Sequence, residues 1–325
     1  MKIRDIDYTD NQVNAEHRAL GLPPVEHELA ESARHPVLRM AMWSVVFLLM
    51  GCIAALATQL FGPHANGQTG LQMVMQTLDS PSFWWAVGVG LLAQTVDGAL
   101  GMAYGITSTS FLLATGASPA VASASVHIAE VFTTGVSGVS HIRLGNVNRQ
   151  LFLRLLVPGM VGAISGAWVV SSVDARVIKP FVSAYLLLMG LYVISKVFKR
   201  IRQTHEAPRH VAKLGLLGGF VDAVGGGGWG PVVTTTLVGT GHDPRTTIGS
   251  VNLAEFFLTF VSAGVFAMLV DEAPWPTVAG LVVGGLFAAP LAALLTRRLN
   301  TRTLLLLVGT VISCISLYNL ARALA

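Results

Sequence analysis

The sequence predicts an all-α polytopic membrane protein: seven transmembrane helices plus two re-entrant helical hairpins, arranged in two inverted repeats. Three observations lead there: an apolar composition, a duplication at a fixed interval, and a sided distribution of Lys and Arg. The chain of 325 residues is 53% hydrophobic and 12% charged, well below the quarter or so of charged residues usual in soluble domains. Several apolar stretches reach the roughly 20 residues a helix needs to cross a bilayer. The net charge of +4 clusters in loops, where membrane topology accounts for it, so a lipid bilayer is expected as a partner and nucleic acid is not. Cys52 and Cys314 both fall in apolar spans, where a small polarizable side chain packs comfortably. That argues against a disulfide framework or a Cys-based metal site.

In chain order, residues 1–36 form a mixed-charge cytoplasmic tail with no apolar core. A cleavable signal peptide begins basic and turns apolar at once, so none is expected. An extra first span follows at 37–61, then a loop, 62–82, that holds no Lys or Arg. Repeat 1 occupies 83–198, a basic cytoplasmic linker 199–210, and repeat 2 211–325. Full spans are expected at 119–141, 150–171 and 177–198, and again at 244–270, 277–294 and 303–323. Each repeat opens instead on two shorter apolar pieces separated by glycine-rich chain: 83–96 and 106–115 in the first, 211–221 and 231–239 in the second.

The duplication is read by shifting the sequence 125 positions. Asp97 then falls on Asp222, Gly101 on Gly226, Gly105 on Gly230 and Thr109 on Thr234. The match continues ungapped through Thr115/Thr240, Pro119/Pro244, Ser125/Ser250, Ala129/Ala254 and Glu130/Glu255. A duplicated apolar unit with carboxylates and glycines at matching depths is the mark of a secondary transporter built from internal repeats.

The short pieces are about half the length a bilayer requires, and charge decides how they run. Arg143 and Arg149, the basic run from Lys196 to Lys213, and Arg297, Arg298 and Arg302 should all be cytoplasmic. Between Lys213 and Arg297 lie one broken piece and two full spans. Both ends are inside only if the broken piece does not cross, so it reads as a hairpin. The N-terminus is then inside and the C-terminus outside. Each repeat holds three crossings, an odd number, so the halves are oppositely oriented. Such halves allow inward- and outward-open states related by symmetry.

Glu130 and Glu255 each sit eleven residues into a span of the same register, near the bilayer midplane. A carboxylate there must face a polar cavity or carry a proton, which makes the pair candidates for proton coupling; the competing reading is a hydrogen bond that merely locks packing. His127 and Asn252 stand one turn earlier on the same helix face. An imidazole can titrate near neutral pH, whereas the amide can only exchange hydrogen bonds. Asp97 and Asp222 end the first arm of each hairpin and join the proton-coupling set. The glycines that follow, Gly101 and Gly105 in one half and Gly226, Gly227, Gly228 and Gly230 in the other, permit a turn, with positive φ expected at Gly228. Tight helix packing also uses glycine, but four in succession would destabilise any continuous helix. No strand precedes them, so they are not a nucleotide-binding fingerprint. The second arms, starting at Ile106 and Pro231, would aim free N–H groups at the protein centre, an anion site without a basic side chain. Ser108, Thr109, Thr234 and Thr235 would add hydroxyl donors. These residues, with His127 and Asn252, form the expected substrate site. No cofactor or metal is expected.

The pattern D-x(3)-G-x(3)-G, then T-G-x-x-P, then A-E inside the next span, given twice, resembles the sulfite exporter TauE/SafE family, also called the 4-toluene sulfonate uptake permeases. The resemblance covers roughly residues 83–323. Asp222 to Pro231 looks closest to the family's glycine-rich signature, while Leu100, Met102 and Ala103 replace more usual glycines in the first half. The resemblance implies transport of sulfur-containing anions such as sulfite, sulfoacetate or other organosulfonates, often export, across the cell inner membrane. Substrate and protons are the expected small partners, and a homodimer is one assembly open to such a chain. An anion channel or an uptake permease for another small anion is the nearest alternative. An intramembrane protease is a remote one, because Gly135-Val136-Ser137-Gly138 fits only a short nucleophile motif whose repeat partner at Ser262 has lost the pattern. The chain is therefore not expected to be an enzyme.

Overall fold

The computed structural model describes residues 35–61, 69–100, 102–196, 210–240, 242–270, 274–298 and 301–325. All regular structure among them is helical: α1 (Pro36–Phe61), α2 (Gly70–Asp79), α3 (Pro81–Leu100), α4 (Tyr104–Ala114), α5 (Pro119–Arg143), α6 (Arg149–Ser172), α7 (Ala175–Ser195), α8 (Val211–Gly225), a π turn (Gly230–Thr234) that runs into α9 (Thr235–Gly239), α10 (Pro244–Leu269), α11 (Trp275–Arg298) and α12 (Thr301–Leu324). The tail 1–34, most of the basic linker (197–209) and Gly101 lie outside the described residues.

Local sequence sets the boundaries. Ser118 and Asp243 accept hydrogen bonds from backbone N–H groups at the starts of α5 and α10, and Pro119 and Pro244 occupy the first helical positions. There a missing N–H is no loss. Asn148 caps α6 in the same way. Among the described residues five helices are long and apolar enough to cross a membrane: Pro36–Thr58, Arg149–Ser172, Ala175–Ser195, Arg245–Leu269 and Leu305–Leu324. α5 is as long as these, about 37 Å at 1.5 Å per residue. Its Ser123, Ser125, His127, Glu130 and Thr134 lower its hydropathy, and all five are buried. The polar face of α5 is thus turned into the protein.

Two segments depart from expectation. α3 is 20 residues long, where a half-length piece at 83–96 was expected; Gly88, Gly90 and Gly98 lie within the helix without ending it. The stretch 62–82 is not all loop, since it contains α2, set by a capping box between Thr69 and Gln72. Its Leu71, Val74, Met75 and Leu78 stand on one exposed stripe, and the Trp84 indole of α3 donates to the Leu78 carbonyl at 2.8 Å.

The helices pair across the two halves in a pattern that survives exchanging them. α3 packs along α11 while α8 packs along α6; α5 meets α10 and α7 meets α12. Glycine allows these backbones to approach closely. A Cβ on Gly90 of α3 would lie 2.5 Å from the Leu281 carbonyl oxygen of α11, and one on its repeat partner Gly215 would lie 3.2 Å from the Leu155 carbonyl oxygen of α6. Two apolar clusters result, one around Tyr104, Ile106, Leu186 and Ile312, the other around Trp229, Phe152, Phe256 and Leu258. Large apolar side chains such as Phe47, Trp85, Phe181 and Met268 are exposed on the outside, where a soluble protein would carry charge.

Candidate functional site

The site is built from the inner ends of the two helix pairs α3/α4 and α8/π turn. In each, an aspartate ends the first arm and caps the second one seven residues on. Asp97 Oδ1 accepts from the Tyr104 N–H at 3.4 Å, and Asp222 Oδ1 from the Trp229 N–H at 2.8 Å. Either bond satisfies one of the N–H groups that a helix start leaves without an intrahelical partner. The second arms therefore begin earlier than Ile106 and Pro231, at Tyr104 in one half and at Gly230, capped by Trp229, in the other, each with an aromatic residue that anchors in the core. The Tyr104 hydroxyl donates to the Leu281 carbonyl at 3.2 Å, and the Trp229 indole to the Val251 carbonyl at 3.0 Å.

The turns differ in detail. Gly226 and Gly227 take φ of 63° and 142°, and both N–H groups donate to the Asp222 carbonyl. Positive φ thus falls at Gly226 and Gly227, not at Gly228. Gly228 is required for another reason, because a Cβ there would overlap the Tyr185 hydroxyl of α7. In the first half Ala103 takes φ 145°, a conformation that strains an L residue.

The two turns touch backbone to backbone. A Cβ on Gly105 would lie 2.5 Å from the Gly227 Cα and 3.1 Å from Glu130 Oε1. The Thr109 hydroxyl donates to the Gly226 carbonyl, and the Tyr185 hydroxyl to the Gly227 carbonyl at 3.1 Å. α5 holds the second hairpin from a further side. Ser123 Oγ donates to the Ala223 carbonyl at 2.6 Å, and His127 Nε2 lies 3.2 Å from Asp222 Oδ2. His127 Nδ1 faces the Ser123 carbonyl at 2.8 Å, so that nitrogen carries a hydrogen. The other ring nitrogen, Nε2, is thereby aimed at the Asp222 carboxyl. Both residues are buried, at 0% and 1% exposure. The mirror positions hold Asn252 and Ile248, and among the described residues Asn252 makes no corresponding bond to Asp97.

Beside the touching turns lies a cavity in which the space open to the centre of a water is about 30 Å³. A single water needs about 10–15 Å³ of such space, so it holds a cluster of a few atoms. Asp97, Glu130, Asp222 and Glu255 all reach it. So do Gln94 and Asn252, and Gly105, Ile106, Gly228 and Gly230 at the starts of the two second arms. Among the described residues no acceptor meets the N–H groups of Ile106, Gly228 and Gly230. No Lys or Arg lines the space.

The sequence-derived set thus divides. Gly105, Gly227, Gly228, Gly230, Asn252 and the four carboxyl residues meet at the cavity. Gly226 and His127 stand one layer behind, holding the turn and Asp222. Ser108, Thr109, Thr234 and Thr235 are buried but off the cavity; Thr235 bonds the Pro231 carbonyl and lies 2.8 Å from the Tyr192 hydroxyl. Gly101 lies outside the described residues. Three residues of the site carried little signal: Gln94 faces Gly219 in the repeat alignment, Tyr104 pairs with a tryptophan, and Tyr185 arrives from a helix whose sequence marks nothing.

Duplicated helical hairpins meeting at a buried polar cavity define a membrane transporter. Comparison with protein families matches residues 86–319 to the sulfite exporter TauE/SafE family, and the chain belongs to it. It is 45% identical over 231 residues to the probable membrane transporter protein YtnM of Bacillus subtilis (strain 168), covering 68% of this chain and 77% of that protein. No solved structure matches.

Proposed function

We propose that the protein is a secondary transporter that exports small sulfur-containing anions, such as sulfite, sulfoacetate or other organosulfonates, across the cell inner membrane with proton linkage and alternating access. Seven crossings and two re-entrant hairpins, in inverted repeats with the N-terminus cytoplasmic and the C-terminus external, are the arrangement this reading requires. The observation that carries it is the cavity where free backbone N–H groups of both hairpins face carboxyl groups of α5 and α10. The N–H groups and the positive end of the α4 dipole suit an anion, and the carboxyl groups suit a proton. Glu130, midway along α5 and 4% exposed, has Oε2 without a hydrogen-bond partner, the condition of a group that binds something else during its cycle. Turns in backbone contact around a small cavity favour a carrier over an open channel. Ser137 lines the same cavity, but the one imidazole nearby is committed to Asp222 and Ser123, which leaves a serine protease without its base.

The test is flux of labelled sulfite, sulfoacetate and sulfate in proteoliposomes under imposed pH gradients and voltages. Saturable flux that responds to the pH gradient is expected. Glu130→Gln and Glu255→Gln keep shape and hydrogen bonding, so both should fold, and at least one should remove the response to the gradient. Unchanged coupling in the double variant would assign both glutamates to packing.

A further inference from the structure

The cavity wants hydrogen as well as offering it. Gln94 Oε1 and Glu130 Oε2 are both buried and both lack a hydrogen-bond partner, and both residues line the cavity. The Gln94 amide lies against the Asp97 carboxylate, which holds its nitrogen on that side and leaves the oxygen facing away. A carboxamide oxygen can only accept, and a buried acceptor left unmade is costly. On the other wall the N–H groups of Ile106, Gly228 and Gly230 need acceptors. A ligand that satisfies both walls must accept along one edge and donate from the other.

We infer that the site selects a singly charged oxyanion that still bears an O–H group, of the type HO–SO2⁻. Its bare oxygens sit at the N–H groups of the two hairpins and its hydroxyl points at Gln94 Oε1. Glu130 can bring its own hydrogen when protonated, so it accommodates either edge of the ligand. Gln94 cannot, which makes its oxygen the discriminating atom. A fully deprotonated dianion would leave Gln94 unpaired and face Glu130, Asp97 and Glu255 with nothing but acceptors. The same anion with a methyl group in place of its hydroxyl, methanesulfinate, would satisfy one wall only. This inference rests on the anion-transport reading and narrows it: of the anions named there, sulfite in its hydrogen sulfite form meets both walls, whereas sulfoacetate and other organosulfonates, which carry no hydroxyl on sulfur, meet one.

The experiment compares hydrogen sulfite with methanesulfinate, matched in charge and in number of heavy atoms, with methyl where the hydroxyl was. Affinity is read from thermal stabilisation of the purified full-length protein in detergent and from competition with labelled sulfite flux in proteoliposomes. The wild type should bind hydrogen sulfite at least about tenfold more tightly, as one hydrogen bond to a charged group contributes about 1.5–3 kcal/mol. Gln94→Met removes the acceptor with little change of volume. It should bring the ratio close to one by weakening hydrogen sulfite and sparing methanesulfinate. Equal affinities in the wild type, or an undiminished ratio in Gln94→Met, overturn the inference while leaving anion transport standing. If neither anion binds or moves, the anion reading itself falls and takes the inference with it. Should Gln94→Met not fold, the wild-type ratio alone decides.

Discussion

His127 and Asp222 come from different repeats and face each other at 3.2 Å, both buried. Removing one member of such a pair strands the other, which typically costs about 3–5 kcal/mol. His127→Ala should therefore lower unfolding stability in detergent by roughly 3 kcal/mol, whereas Asn252→Ala at the mirror position should cost far less. Equal losses would mean that the imidazole acts only by filling space. Ala103 offers a second test. Its φ of 145° strains any side chain by about 1–3 kcal/mol, so Ala103→Gly should leave stability unchanged or raise it, and Ala103→Val should lower it. At this scale the sequence exposed the residues that recur. Asp97, Asp222, Glu130 and Glu255 stand out because two copies preserve them 125 positions apart. Gln94 and Tyr185 could not be found that way, since one is matched by a glycine and the other acts only after α7 has folded against the turn.

At the scale of elements, the glycine-rich chain after Asp222 showed where a helix must break. It did not show which glycine bends and which merely yields space. Gly226 and Gly227 bend; Gly228 gives way to the Tyr185 hydroxyl. Gly228→Ala should then impair transport, and adding Tyr185→Phe should recover part of it, because the collision is with the phenolic oxygen. A strained backbone would give no rescue, so flux in the double variant separates the two causes. The anchoring aromatics explain why the second arms begin earlier than charge and proline placement suggested. Tyr104 and Trp229 begin the arms because Asp97 and Asp222 accept their N–H groups, a contact across seven residues that no periodicity reveals. The Thr235 hydroxyl is absorbed by the Pro231 carbonyl one turn back, the usual behaviour of threonine in helices, while that of Thr109 crosses to the Gly226 carbonyl of the other repeat.

At the scale of the whole molecule, the exchange of partners between halves (α3 with α11, α8 with α6) was foreshadowed by the duplication but not fixed by it. Which helix of one repeat lies along which of the other depends on small residues such as Gly90, Gly162 and Gly215 meeting backbone across the interface. Sidedness can be tested directly. Cysteines placed at 204–208 and at 271–274 should react with an impermeant reagent from opposite faces of the membrane, the first from the cytoplasm. Labelling of both from one face would overturn the hairpin reading of repeat 2.

A machine made of two equal copies would idle evenly between its inward and outward forms, and this one is not equal. The imidazole of α5 fastens only the second hairpin. If alternating access requires the hairpins to trade environments, the fastened arrangement is the lower of the two wells. Each 1.4 kcal/mol of that difference shifts the empty carrier about tenfold toward one side. The protein would then wait for its cargo facing a single compartment, and the histidine that stands where the other half has asparagine would give a duplicated apparatus its resting direction.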